Sequence, residues 1–153
     1  MMTKWINFDA QLAHWLRYPQ DLLLVLLRLA VAWVFFKSGM LKLQSWDSTL
    51  ELFAYEYAVP FLSPLVAAVA GTAGELLLPP LLAIGILTRP AAFALFVFNW
   101  VALISYPDIS PAGIKDHQLW GLGLACVFLF GAGAVSLDHW IARRLGRSTR
   151  SVP

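Results

Sequence analysis

The sequence predicts an all-α membrane protein: a four-transmembrane-helix bundle with an amphipathic interfacial N-terminal helix and a short C-terminal helix. Three observations predict it. Apolar residues make up 59% of the chain and charged residues 13%, against roughly half and a quarter in a soluble domain. The apolar residues gather in four blocks, 22–43, 61–87, 90–106 and 117–137, and a helix needs about 20 such residues to cross a ~30 Å hydrocarbon core. Blocks three and four also lack the polar stripe that a soluble bundle helix carries.

Taken in order, residues 1–20 form an arm. Trp5, Phe8, Leu12 and Trp15 recur at helical spacing, with Lys4, Gln11, His14 and Arg17 elsewhere on the wheel. This suits a helix lying in the inner headgroup layer, the alternative being a helix that docks on a partner. Pro19 is expected to end it. The first block starts too late, after Asp9 and Asp21, and runs too long for a cleaved leader. It is read as a retained span. The outer loop 45–63 carries its own short helix: Ser48 and Glu51 have capping-box spacing, and Leu50, Phe53, Ala54 and Tyr57 make an apolar face. Pro60 and Pro64 stop that helix. Loop 105–116 is expected to be irregular. Ser136 or Asp138 is expected to cap a short last helix. The chain thus divides into the arm 1–20, the bundle 21–140 and a basic tail 141–153.

Lys4, Arg17, Arg89, Arg143, Arg144, Arg147 and Arg150 fall on one side of a four-span arrangement. The positive-inside rule places that side, with both termini, in the cytoplasm. Arg89, Arg143 and Arg144 there are candidate anchors for anionic lipid heads. The opposite side collects Asp47, Glu51, Glu56, Asp108 and Asp116.

Charges inside the spans point to a site, because each costs roughly 3 kcal/mol at a helix centre and normally faces protein or a water cavity. The candidates are Arg28, Lys37 and Glu75. At about 100° per residue, Arg28, Gly39 and Lys42 share one face of span one and Lys37 lies about 180° from Arg28. At about 1.5 Å per residue from the cytoplasmic ends, Glu75 lies about 20 Å deep, Lys37 about 24 Å, Arg28 about 10 Å and Lys42 about 31 Å. Face and depth therefore favour different partners for Glu75. The favoured arrangement joins Arg28, Glu75 and Asn99, with Lys37 reaching outward. Lys37 as the partner of Glu75 stays open. Pro79 and Pro80 remove the amide donors to the carbonyls of Glu75 and Leu76. Such freed carbonyls are tolerated in a membrane where they are buried or line a cavity. The plainer alternative is that Glu75 only ties helices together.

Other chemistry is narrowed. Cys126 is the one cysteine, so the chain makes no internal disulfide and no dithiol exchange of its own. His14, His117 and His139 do not pair at mid-depth, and no haem, flavin or metal motif is present. Asp116 and His117 are candidates at the outer mouth, without diagnostic metal-ligand spacing. Trp33 and Trp100 are deep enough to line a pocket for a flat apolar ligand. A net charge of +2 offers nothing to nucleic acid.

Arg28, Phe35, Gly39 and Lys42, then Glu75, then Gly85-Ile-Leu-Thr88-Arg89, then Gly131-x-Gly133-x-x-Ser136-Leu-Asp138 together resemble the DoxX family of small membrane proteins. The resemblance runs from about residue 22 to 140. The double proline after Glu75 and the long arm are additions to the pattern. The resemblance implies a four-span fold. It also implies association with quinol-oxidase or thiosulfate:quinone oxidoreductase systems, with oxidative or thiol stress, or with metal handling. The positions it carries over are Arg28, Gly39, Lys42, Glu75, Arg89 and Asp138, without assigning them roles.

The expectation is an accessory subunit of a redox system, not catalytic alone. If enzymatic, it is part of a quinone-linked oxidoreductase. A quinone is the candidate ligand, held at Arg28, Gly39, Lys42, Glu75, Asn99 and Trp100. Membrane lipids, a second copy or a redox subunit are the expected partners. The alternative is a module that binds or transports a solute, lipid or metal complex, or a scaffold for a partner enzyme.

Overall fold

The computed structural model describes residues 2–146, so Arg147 and Arg150 of the basic tail lie outside the described residues. Six helices follow one another: α1 Met2–Gln44, α2 Trp46–Tyr55, α3 Pro64–Ile84, α4 Thr88–Ser105, α5 Pro111–Phe130 and α6 Leu137–Arg144. No strand occurs among the described residues. α1 packs against α3 and α5, and α4 packs against the same two helices, which closes a ring of four. Leu24, Val31, Phe35, Leu82, Leu95, Leu124 and Val127 meet in its centre. α2 lies over one end of the ring, where Phe53 packs on Ala67 and Ala68.

Three of these helices are long and apolar enough to cross a membrane: residues Gln11–Gln44, Pro64–Ile84 and Thr88–Ser105. α5 has span length, but Lys115, Asp116 and His117 lie in its first half.

Several boundaries differ from the sequence expectation. α1 runs unbroken through Pro19. A proline removes only one helical hydrogen bond. The carbonyl that loses its donor belongs to Trp15, on an exposed stretch. At 43 residues, α1 is about 65 Å long, roughly twice the hydrocarbon core. Trp5, Phe8, Leu12 and Trp15 are exposed on its first half.

α2 starts two residues before Ser48, so the Ser48–Glu51 capping box does not form. The joint is made instead by Thr49, whose Oγ1 donates to the carbonyl of Lys42 at 3.0 Å and satisfies the end of α1. α3 begins at Pro64, in the first-turn position where a missing N–H costs nothing. It remains helical through Pro79 and Pro80 and stops at Gly85, which adopts φ 77°.

The fourth apolar helix is shifted toward the N-terminus, from the expected 117–137 to 111–130. Ser110 Oγ accepts from Gly113 N at 3.1 Å and Pro111 opens the first turn, so α5 starts inside the loop expected to be irregular. Gly131 and Gly133, both at positive φ, end it early.

Candidate functional site

The site forms at a close approach of α1 and α3. Gly39 makes that approach achievable: a Cβ there would lie 2.9 Å from Glu75 Cβ and 3.0 Å from Leu76. One turn on, Lys42 Nζ donates to Glu75 Oε2 at 2.6 Å, to Glu75 Oε1 at 2.8 Å and to Ser38 Oγ at 2.9 Å. Those bonds occupy its three donors. Ser38 Oγ donates to Glu75 Oε1 at 3.2 Å. The side chains of Lys42 and Glu75 are only 13% and 8% exposed.

The favoured grouping of Arg28, Glu75 and Asn99 is therefore corrected, and Lys37 does not replace it. Lys37 is exposed, on the far side of α1. Arg28, Gly39 and Lys42 share a face, as the helical angle predicts, and the structure decides that this face meets α3. Depth counting misled because it measured Cα positions. A helical side chain leans toward the N-terminus, so Lys42 reaches back a full turn, to the level of Ser38 and Glu75.

Arg28 belongs to a different layer, about 21 Å along α1 from Lys42. It is 1% exposed. Its Nη2 donates to the carbonyl of Val135 at 2.6 Å, while Nε and Nη1 have no partner among the described residues. Gly85, Ser136 and Asp138 surround this layer. The N-terminus of α4 has no capping side chain of its own, since Leu87 occupies the cap position. Asp138 supplies the cap: it accepts from Leu87 N at 2.9 Å, Thr88 N at 2.8 Å and Thr88 Oγ1 at 2.7 Å. Ser136, not Asp138, caps α6, accepting from His139 N at 3.2 Å. The Gly85–Arg89 and Ser136–Asp138 segments thus form one clasp, closed by Asp138 N donating to the carbonyl of Gly85 at 2.8 Å. Asp138→Ala removes the two oxygens that accept three hydrogen bonds at a helix N-terminus. It is expected to cost about 2 kcal/mol, read as a lowered midpoint of thermal unfolding in detergent.

Asn99 forms a third group. Its Nδ2 donates to the carbonyl of His117 at 2.9 Å and its Oδ1 lies 2.9 Å from His117 Nδ1, with the His117 ring edge-on to Trp120. Asp116, beside it, is exposed. Trp100 is 58% exposed and Trp33 65%, so neither is enclosed in a pocket; both face outward from the ring. Arg89 donates to the carbonyl of Leu129 at 3.3 Å. Arg144 lies over the Trp140 ring, and Arg143 is its neighbour at the end of α6.

Glu75 and Lys42 also form one wall of a cavity of about 290 Å³ between α3 and α4. Small residues make the space: Ala67, Ala70 and Gly71 on α3 face Ala94 and Ala102 on α4, with Phe98 between them. Ala70 and Val97 are exposed and lie at its mouth, on the outward side of the crevice. Ser105, the last residue of α4, lines the other end. It is fully buried, and its Oγ has no partner among the described residues. Tyr57 lines the cavity from above. Burial, and then the charge of Glu75, raise its phenol pKa, so the hydroxyl stays protonated. The sequence reading singled out Lys42, Gly39 and Glu75. It missed Ser38, Tyr57 and Ser105 at this site. Ser38, one turn before Lys42, had a legible signal in its spacing. Tyr57 and Ser105 had none.

The family model described as DoxX matches residues 23–107. That segment runs from the packed part of α1 through α4. It leaves out the Gly131–Asp138 motif. An uncharacterized protein of Haemophilus influenzae is 30% identical over 129 residues, covering 78% of this chain and 83% of that protein. No solved structure matches the chain.

Proposed function

Because this chain belongs to the DoxX family, we propose that it is a membrane-embedded binding subunit of a quinone-linked redox system, holding the ligand head in the α3–α4 cavity. The carrying observation is an apolar cavity with an ion pair in its wall and, at its other end, a buried hydroxyl that has no partner among the described residues. Ligand sites are mostly apolar concavities with a few placed polar groups. A volume of about 290 Å³ sits near the lower bound of roughly 300 Å³ for small-molecule sites, which suits a single-ring head. Its mouth opens where the bilayer would be, so the ligand enters from lipid. Four spans, α1 and α3 to α5, cross the inner membrane of a bacterial cell in this reading. The clasp of Arg28 and Asp138 and both termini are cytoplasmic, and α2 lies outside. The electron-transfer centre belongs to a partner subunit.

The test is purification in native nanodiscs followed by mass spectrometry of extracted small molecules. A stoichiometric quinone is expected in the wild type and its loss in Glu75→Gln. Wild-type protein that yields bulk lipid only ends this reading. Glu75→Gln protein with lowered thermal stability and no change in bound molecules identifies Glu75 as a tie between α1 and α3.

A further inference from the structure

Lys42 and Tyr57 line two spaces. One is the α3–α4 cavity. The other is a groove of about 660 Å³ between the end of α1 and α2. The two differ in chemistry. The cavity is walled mainly by hydrocarbon, whereas the groove mixes leucine and tyrosine side chains with hydroxyls and carboxylates, among them Ser38, Ser48, Glu51 and Glu56. Exposed Ser45, Ser48 and Glu51 open the groove to the surface. Ser38 stands at its inner end, 3.2 Å from Glu75 Oε1 and 2.9 Å from Lys42 Nζ. A line of polar atoms therefore runs from the open groove to the carboxylate. In the other direction, α1 turns Phe35, Ala32 and Val31 into the apolar core.

We infer that the Lys42–Glu75 pair is a proton-exchange site reached by water from the α2 side of the bundle alone. The inference goes beyond the ligand reading: it needs only the pair and the groove, and it adds the side on which protons are exchanged. A proton leaving the Glu75 carboxyl passes to groove water as hydronium. The carboxylate left behind is held by the Lys42 ammonium, and uptake is the reverse. The groups facing the pair are few. Lys42 comes from α1, and Tyr57 follows α2. Glu51 and Glu56 line the groove, and Tyr106, after α4, donates to Glu56 Oε2 at 3.2 Å. α3 carries no charge besides Glu75, and the α4 residues that line the cavity carry none. Groove and pair together make the route one-sided, because water finds hydroxyls on the α2 side and packed side chains below.

Two measurements test this without any ligand. In a Cys126→Ser background, Ser38→Cys in oriented proteoliposomes is treated with a membrane-impermeant charged maleimide on one side at a time. Labelling from the α2 side and none from the opposite side is expected. Labelling from the opposite side overturns the inference. So does failure to label from either side while exposed Ser45→Cys labels normally from the α2 side. Infrared spectroscopy of the otherwise unaltered protein covers the case in which Ser38→Cys does not fold. The carboxyl band that Glu75→Gln abolishes should respond to a pH change on the α2 side only. A response to the opposite side, or to neither, overturns the inference. Because neither readout needs a quinone, one-sided access without a bound quinone would reject the proposed function and leave the proton route standing.

Discussion

Lys42→Met is expected to destabilise the protein by about 3–5 kcal/mol, because it strands a buried carboxylate. The methionine keeps the apolar stem and much of the volume, so the loss reports the ammonium. In the wild type that ammonium satisfies both oxygens of Glu75, at 2.6 and 2.8 Å, in a place only 8% open to solvent. The check is the midpoint of thermal or denaturant unfolding in detergent, for four proteins: wild type, Lys42→Met, Glu75→Gln and the double variant. Removing both partners leaves no charge to strand, so the double variant should recover most of the loss. Such strong non-additivity is expected of residues that touch or share one ion-pair network, and not of distant, independent sites. If Lys42→Met unfolds at the wild-type midpoint, the pair does not hold α1 to α3, and the polar wall of the cavity loses its basis.

The second large effect is expected at Gly85→Ala. Gly85 has φ 77°, a conformation that L side chains rarely adopt. A Cβ there would run into Arg28 Nη1 and lie 2.7 Å from Ser136 Cβ. Neither neighbour gives way easily: Arg28 is buried and bonded to Val135, and Ser136 caps α6. Backbone strain of about 1–2 kcal/mol and overpacking of about 1–3 kcal/mol together predict a loss of about 2–5 kcal/mol. Gly146→Ala is the control. Gly146 also has positive φ, 64°, but its Cβ would meet nothing within 4 Å, so only the strain of about 1–2 kcal/mol applies. Folded yield after a thermal challenge should therefore fall much further for Gly85→Ala. Equal losses would show that the clasp around Arg28 does not constrain the turn between α3 and α4.

Much of the architecture could be read from local pattern. Long apolar blocks predict helices of membrane length, and α3 and α4 lie where the second and third blocks do. The helical angle also placed Arg28, Gly39 and Lys42 on one face, and that face packs against α3. Boundaries set by hydrogen bonds were harder. The fourth block looked apolar from His117 onward, but Ser110 and Pro111 start α5 earlier and Gly131 ends it sooner. Pro19 looked like a stop, yet a single lost bond on an exposed stretch does not interrupt α1.

Pairing was less legible than placement. Glu75 was recognisable as a buried charge from sequence alone, because a carboxylate inside an apolar helix demands a partner. Its partner was not, since Cα depth ignores the turn by which a lysine leans back along its helix. Arg28 and Asp138 looked like members of the same motif, but not like parts of a clasp. Their layer depends on chain segments far apart in sequence: Arg28 bonds the carbonyl of Val135, and Asp138 caps a helix that begins 50 residues earlier.

The sequence by itself determined the apolar helical blocks and the need of Glu75 for a counter-charge, because each follows from composition, periodicity or spacing within a segment; the family followed from the resemblance of motifs spread along the chain. The tertiary structure decided which cation meets Glu75, that Arg28 and Asn99 stand apart from it, and that small residues on α3 and α4 leave a cavity against the pair. Those facts depend on the relative height and rotation of packed helices. A shift of one helical turn, about 5.4 Å, exchanges one partner for another, and no local pattern encodes it.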